Sequence, residues 1–242
     1  MDCRVKIEEN VYLECEKRWV FALLMMVGGF FGGFTYNIRG GIFCNAQTAN
    51  VVLLGLYLGH GNIPGALYFF IPISAYLLGS FISEYIPLPI RRFGLLRWDT
   101  IFIIVEICAV IFLALLPESA PHQISQVMLN FICSMQYNTF RQAQSMPMAT
   151  TFCTNHIRQV GISLAKIVRH REVDSYGEKI RVHVIMLSVF VFGSFAAVFL
   201  TNIMKGRAMF FALIPLFVIL IDFLIADFKT EKEILHQAPR GH

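Results

Sequence analysis

The sequence has few charged residues and lacks the short motifs that mark soluble enzymes. Charged side chains make up 15% of its 242 residues, against about a quarter in an average soluble domain. It has no HExxH, GxSxG or Walker pattern, and no dinucleotide-binding glycines followed by strand signals. The six cysteines form no CxxC pair. We therefore predict no enzyme, no cofactor and no metal site, and a net charge of +4 does not favour nucleic-acid binding.

Long apolar runs dominate what is present, since hydrophobic residues make up 56% of the chain. Six runs come near the roughly 20 residues that cross a bilayer: 19–36, 65–86, 98–116, 124–140, 182–203 and 208–226. Two shorter runs, 48–58 and 154–168, begin with polar residues. The first long run follows a mixed-charge segment that is too acidic for a signal peptide, so it is expected to remain as a span. The pattern predicts an all-α polytopic membrane protein.

Positively charged residues favour a topology in which the two short helices do not cross. With a cytoplasmic N-terminus, the outer loops then hold only Arg39, Lys205 and Arg207, and nearly all other Lys and Arg side chains lie inside. If all eight helices crossed, the bias would be much weaker. We predict a cytoplasmic segment 1–18, a first membrane repeat 19–116, an external turn 117–123, a second repeat 124–226 and a cytoplasmic tail 227–242.

The two halves of the chain resemble each other. When Thr48 is set against Thr154, Gly55 meets Gly161 and Leu58 meets Leu164. A Tyr-Asn pair precedes each short helix at 36–37 and 137–138, and a Gly-Ser-Phe triplet follows each at 79–81 and 193–195. Collinear matches of this kind indicate duplication. Three crossings per copy predict two inverted repeats, each with one half-helix or re-entrant helix; eight short spans in two parallel four-helix repeats are the alternative.

The polar residues at the start of each short helix are the candidate solute site. A helix that begins inside the membrane leaves its first N–H groups unpaired, and these carry partial positive charge. Two such starts meeting near the midplane would suit an anion or a small polar metabolite. The candidate residues are Asn45, Gln47, Thr48, Asn50, Thr151, Thr154, Asn155 and His156. Helix packing is the alternative role for each of them.

Two further features of the spans have both a functional and a structural interpretation. Glu106 lies about 10 Å along a helix from Asp99, and an ionisable group at such depth is by default a functional hypothesis, here a proton-coupling group. The stretch VGGFFGGF at 27–34 places glycines four residues apart, which is typical of close helix packing. A homodimer through this glycine face is the alternative to packing within the chain.

The stretch NAQTANVVLLG, its reduced second copy TNHIRQVG and the paired GSF triplets resemble the YoaK-like bacterial integral membrane proteins, a family of unknown function. That family carries Asn-x-Thr-Gly-Asn before an apolar helix. Here Asn45 or Gln47 leads into Thr48, Ala49 and Asn50, with Ala49 at the typical glycine position and Asn155 in the second copy. The resemblance covers about residues 19–226. It implies a bacterial inner-membrane protein and supplies no substrate.

The sequence thus predicts a small-solute transporter or channel in the bacterial inner membrane, with both termini cytoplasmic. Its expected partners are the lipid bilayer and a small solute or anion. A membrane scaffold, sensor or lipid-binding protein is the alternative, with the polar helix starts used for packing. A membrane enzyme comes third, because His156 and Glu106 alone make a weak catalytic pair.

Overall fold

The computed structural model describes residues 12–87, 96–170, 173–235 and 237–239, and nearly all of its regular structure is helical. The all-α class predicted from the sequence is confirmed. Of the predicted terminal segments, residues 1–11, 236 and 240–242 lie outside the described residues. The α-helices are α1 (Arg18–Ile38), α2 (Gln47–Gly59), α3 (Ile63–Tyr85), α4 (Trp98–Leu115), α5 (His122–Thr139), α6 (Thr154–His170), α7 (Val173–Met204) and α8 (Leu213–Ile225).

Several helices are apolar enough to lie in a membrane. Among the described residues, four helical stretches could cross one by length and composition: Arg18–Ile38, Ile63–Tyr85, Trp98–Leu115 and Val173–Thr230. The last runs for 58 residues and is interrupted by a 3-10 segment, Lys205–Ala212. Helix α5 has 18 residues but is more polar, because it turns Gln126, Asn130 and Gln136 into the protein interior. These helices indicate a membrane-embedded protein.

The bundle has two ends that the contacts define. At the terminal end, the 3-10 segments Glu14–Glu16 and Lys232–Ile234 pack around Arg97 at the start of α4. At the far end, Arg39 lies beside Gly206 and Glu118, while Gly40 lies against Tyr68 and Gln126. In the described chain, α1, α3, α4, α5, α7 and the segment 205–225 each run between these two ends.

The helices exchange partners between the two halves of the chain. Helix α1 packs along α7 in parallel: Arg18 pairs with Glu178 near one end, Gly29 lies against Phe190 at the middle, and Asn37 bonds Thr201 near the other. In the same way, α3 packs along α5 in parallel. Here Gln126 bonds Tyr68, Gly79 lies against Ser134, and Asn138 bonds Ser83. The first long helix of each half therefore contacts the second long helix of the other.

The Gly-Ser-Phe triplets lie at these two crossings. A Cβ atom on Gly193 would overlap the carbonyl oxygen of Met26 in α1, and one on Gly79 would overlap Ser134 and the Phe131 carbonyl in α5. The phenylalanines of the triplets point away from the protein, with Phe81 63% and Phe195 65% exposed. Close approach of the backbones thus requires the glycines, as small residues do in membrane helix packing.

All four glycines of the α1 stretch contact other parts of the same chain. Gly28 faces Thr150, Gly29 faces Phe190, Gly32 faces Asn45, and Gly33 faces Ser194 and Ala197. This glycine face is therefore occupied by the chain's own segments. A homodimer stays a prediction, and it would need a different surface.

Candidate functional site

Helix α2 begins beside the middle of α1. After α1 ends at Ile38, the chain turns back, and the Nδ2 of Asn45 donates a 3.0 Å hydrogen bond to the carbonyl of Gly28. Gly28 lies halfway along α1, and Asn45 also fills the space left by Gly32 one turn later. From this point α2 runs to Gly59, next to the far end where α3 begins. The polar start of α2 is thus at the centre of the bundle.

The side chains of this start are held by the protein. Gln47 donates to the Oδ1 of Asn130 on α5 at 2.6 Å and to the Cys44 carbonyl at 3.3 Å. Asn50 is fully buried and donates to the carbonyl of Phe43 at 2.7 Å. Thr48 is exposed and does not belong to this buried group.

Helix α6 also begins near the middle of α1. The carbonyl of Thr150 lies against Gly28, the same residue that accepts from Asn45. Gln136 of α5 spans the gap, donating to the Leu24 carbonyl at 3.2 Å and to the Thr150 carbonyl at 3.5 Å. From Thr154, α6 runs to His170, where α7 begins near the terminal end. The two polar starts, about a hundred residues apart in the chain, therefore meet at one level of the bundle.

The two starts repeat one hydrogen bond. Asn50 donates to the carbonyl of Phe43 at 2.7 Å, and the Nε2 of His156 bonds the carbonyl of Ala149 at 2.8 Å, seven residues back in both cases. The register that sets Thr48 against Thr154 also aligns these residues. Like Thr48, Thr154 is exposed, and like Asn50, His156 is fully buried.

His156 has a second partner that the sequence did not point to. Its Nδ1 lies 2.9 Å from the Nδ1 of His183 on α7, and His183 is only 4% exposed. Because a carbonyl can only accept, the Nε2 of His156 must carry a hydrogen, and in the neutral ring this leaves Nδ1 as an acceptor. His183 must then donate through its own Nδ1. The contacts thus fix both tautomers.

Several polar atoms around the two starts are buried without a hydrogen-bond partner among the described residues. They are Asn50 Oδ1, Gln136 Oε1 and Thr150 Oγ1. Buried polar atoms in native proteins are nearly always satisfied by protein, water or a ligand. The centre of the bundle therefore offers unused hydrogen-bonding capacity.

Glu106 lies near the first start. It sits halfway along α4, is fully buried, and neither of its carboxylate oxygens has a hydrogen-bond partner in the described chain. It acts electrostatically on the thiol of Cys133, whose sulfur is 3.7 Å from that of Cys44, directly before Asn45. Burying an unpaired carboxylate in apolar surroundings is costly, so such a position points to a function more than to stability.

A cavity of about 320 Å³ reaches the second start from the terminal end of the bundle. Tyr137, Asn138 and Arg141 line it at the end of α5, and Ala149 and Asn155 line it at the start of α6. The Oδ1 of Asn155 accepts from Arg158 at 3.1 Å, so the cavity wall carries amide and guanidinium groups. Such a lining can hydrogen-bond a small polar or anionic solute.

Residues 20–221 match the sequence profile of a protein family, and the match covers most of the chain. The chain belongs to the DUF1275 family of proteins of unknown function. No curated protein and no solved structure matches the chain. Membership of DUF1275 is in line with the expected family of unknown function, and it assigns no substrate.

Three interior residues of the site were missed from the sequence. Asn130 stands one turn after Gln126 on α5, and this i,i+4 pair of buried amides could have been found. Gln136 does not continue that spacing, because it lies about 120° away from Asn130 around the helix. His183 could not be found in this way, because it stands at the start of the predicted apolar run 182–203 and nothing in the sequence pairs it with His156. Of the remaining candidates, Thr151 is buried and Asn155 is half-buried at the start of α6.

Replacing His156 by asparagine is expected to leave the protein folded, with a thermal unfolding midpoint close to that of the wild type. The reason is that Asn50 already makes the equivalent bond in the first half of the chain. Leucine at the same position leaves the Ala149 carbonyl and His183 unpaired, and should cost about 1–3 kcal/mol. Thermal unfolding in detergent measures both, and equal losses for the two variants would contradict the equivalence of Asn50 and His156.

Proposed function

We propose that the chain is a small-solute transporter or channel whose pathway passes between the starts of α2 and α6. One observation carries this proposal: both polar starts lie against Gly28 at the middle of α1. Backbone that leaves the helical form at membrane depth is tolerated only where protein or a water-filled space surrounds it. The unpaired buried oxygens of Asn50, Gln136 and Thr150 provide partners for a solute or for water.

The arrangement that this proposal assumes is two inverted repeats of three spans and one half-helix each. The exchange of partners supports it, since α1 packs on α7 as α5 packs on α3. We place the terminal end in the cytoplasm, because nearly all Lys and Arg side chains then lie inside. Helix α2 then opens outward and α6 inward, and a bacterial inner membrane is the proposed location.

The proposed solute is an anion or a small polar molecule. Two helix N-termini that face the same space add partial positive charge there. Arg158 adds a guanidinium beside Asn155 of the cavity wall, whereas Arg141 is paired with Glu84. Glu106 is the proposed proton-coupling carboxyl because it is buried near the first start without a hydrogen-bond partner in the described chain.

The rival function is a membrane scaffold, sensor or lipid-binding protein. Packing within the protein favours this function, because three polar side chains of the first start each donate a hydrogen bond to a protein acceptor. They are Asn45, Gln47 and Asn50. A membrane enzyme has less to support it, because the ring nitrogens of His156 contact Ala149 and His183 instead of a carboxylate.

Cysteine labelling at the two starts is expected to separate transport from packing. On a background with the native cysteines replaced by alanine, Asn155→Cys should react with a small impermeant thiol reagent from the cytoplasmic side, since Asn155 lines the cavity. Gln47→Cys, which is half-buried, should react from the outer side. The reagent would be applied to either face of oriented vesicles.

The matched controls are Val52→Cys on α2 and Ile157→Cys on α6, which are 62% and 61% exposed on apolar helix faces and should stay unlabelled in lipid. Labelling of both starts but of neither control supports a pathway. If Asn155→Cys alone reacts, the cavity opens to the cytoplasmic side and does not continue to the start of α2. If neither start reacts in folded protein, the scaffold function is favoured and transport is abandoned.

A further inference from the structure

Two histidines in the second half of the chain stand where the first half has residues that do not titrate. His156 occupies the position of Asn50, as their shared hydrogen bond indicates. The register that sets Gly79 against Gly193 places Phe69 at the position of His183. An Asn and a Phe cannot bind a proton, whereas two histidines in contact can. The two histidines contact each other at the start of α6, where the cavity lined by Ala149 and Asn155 ends.

The geometry of the pair leaves one open position for a proton. His156 donates from Nε2 to the Ala149 carbonyl and accepts at Nδ1, so it is neutral in this arrangement. His183 uses its Nδ1 hydrogen for that bond, and only its Nε2 lone pair is free of this pairing. A proton added there gives an imidazolium that still donates to His156, through a charge-assisted and therefore stronger bond.

The groups around the His156–His183 pair disfavour a positive charge on it unless an anion is present. Burial disfavours a charged His183 most, and His156 and Lys179, which lies one turn before His183 on α7, act in the same direction. His156 lies in the first turn of α6, where the helix end carries partial positive charge. In the described chain, no carboxylate bonds either imidazole, and the nearby Glu178 is engaged by Arg18. A negative charge at the start of α6 would remove this penalty.

We propose that the His156–His183 pair binds one proton, and that it does so together with an anionic solute at the start of α6. The proton adds to His183 Nε2, and no other bond forms or breaks. This inference rests on the proposed function. It adds that proton binding is coupled to anion binding, so that a proton and an anion enter the inner half of the pathway together. It also explains why titrating residues occur in only one of the two equivalent positions.

The test uses ¹⁵N-histidine-labelled full-length protein in lipid nanodiscs, with ring-nitrogen NMR shifts recorded against pH. His156→Asn and His183→Gln assign the two rings. The bound anion is mimicked by Asn155→Asp, a near-isosteric change that places a carboxylate in the cavity wall beside His156. We expect one ring of the pair to gain a proton while His156 keeps its Nε2 hydrogen. At one fixed pH, Asn155→Asp should raise the ratio of charged to neutral His183 about tenfold.

Two results would overturn the inference: both rings gaining protons independently, or an unchanged ratio in folded Asn155→Asp protein. The wild-type amide is the matched control, because it fills the same space without the charge. The outcome is separable from that of cysteine labelling. Labelled helix starts with no proton uptake would remove only the coupling. A pair that takes up its proton beside unreactive starts would remove the transport function instead.

Discussion

Replacing Gly29 by leucine is expected to abolish recovery of folded protein. A Cβ atom at Gly29 would overlap the backbone carbonyl of Phe190, and one at Gly193 would overlap that of Met26. Backbone atoms of packed helices cannot move aside as the tip of a flexible side chain can. Alanine at either position should therefore cost about 1–3 kcal/mol, and leucine should force α1 and α7 apart.

The chain offers a matched control for this result in Gly55 and Gly161, which the duplication sets in equivalent positions. Both lie in helices, and a Cβ atom at either meets no heavy atom within 4 Å. Leucine at Gly161 should leave the yield unchanged, because it enters an open helix face. The measurement is the fraction of monodisperse protein after detergent extraction, followed by its thermal unfolding midpoint.

The same measurement shows whether the α1–α7 and α3–α5 contacts are equally close. Gly79 packs on α5 as Gly193 packs on α1, so Gly79→Leu should fail as Gly29→Leu does. Equal recovery of Gly29→Leu and Gly161→Leu protein would show that α1 and α7 do not cross at Gly29. Failure at Gly29 and Gly193 with tolerance at Gly79 would show that only one of the two crossings is tight.

The lengths of the apolar runs predicted the membrane-depth parts of the helices well. They did not predict how far a helix continues into charged sequence. The predicted run 98–116 corresponds to Trp98–Leu115, and 65–86 corresponds to Ile63–Tyr85. Helix α7, however, begins at Val173 and not near 182, because its first turns are charged and hydropathy does not register a helix that continues outside the apolar core. Pro215, which lies inside a predicted run, occupies the first turn of α8, where proline is tolerated.

The sequence pointed to the location of the candidate site but not to the direction of each side chain. Polar letters ahead of two apolar helices were enough to single out both starts. Thr48 and Thr154 nevertheless lie on the exposed side, since a residue two positions before Asn50 or His156 is about 200° away around the helix. The partners Asn130, Gln136 and His183 come from other helices. Which helices meet depends on tertiary packing, and the local spacing of polar residues does not specify it.

Arg97 gives the second large expected effect, because it is the buried positive charge that joins three separate segments. Its guanidinium lies 3.5 Å from Asp99 and 3.1 Å from Glu231, and its backbone N–H donates to Asp227 at 3.2 Å. Only 5% of Arg97 is exposed. In the sequence, Arg97 is one of many basic residues predicted to be cytoplasmic, and nothing there sets it apart. Glu231 also accepts from the backbone of Glu14, so the 3-10 segment Glu14–Glu16 contacts the same cluster.

Arg97→Met should lower the free energy of unfolding by about 3–5 kcal/mol, because it leaves buried carboxylates without their counter-charge. Arg18→Gln is the control, since the Arg18–Glu178 pair is largely exposed and its loss should change little. Denaturant titration of the detergent-solubilised protein at neutral pH measures both. A loss for Arg97→Met no larger than that for Arg18→Gln would contradict the bridging role.

The loss in Arg97→Met should shrink as the pH falls. Burial raises the pKa of Glu231, and Arg97 acts in the opposite direction, so removing Arg97 raises that pKa further. An acid with a raised folded-state pKa favours folding below its ordinary pKa of about 4.3, and that contribution is lost as the pH rises through the folded-state value. The variant should therefore approach the wild type in mild acid and fall furthest behind above neutrality. A deficit independent of pH would assign the effect to lost packing by the arginine stem instead of to charge.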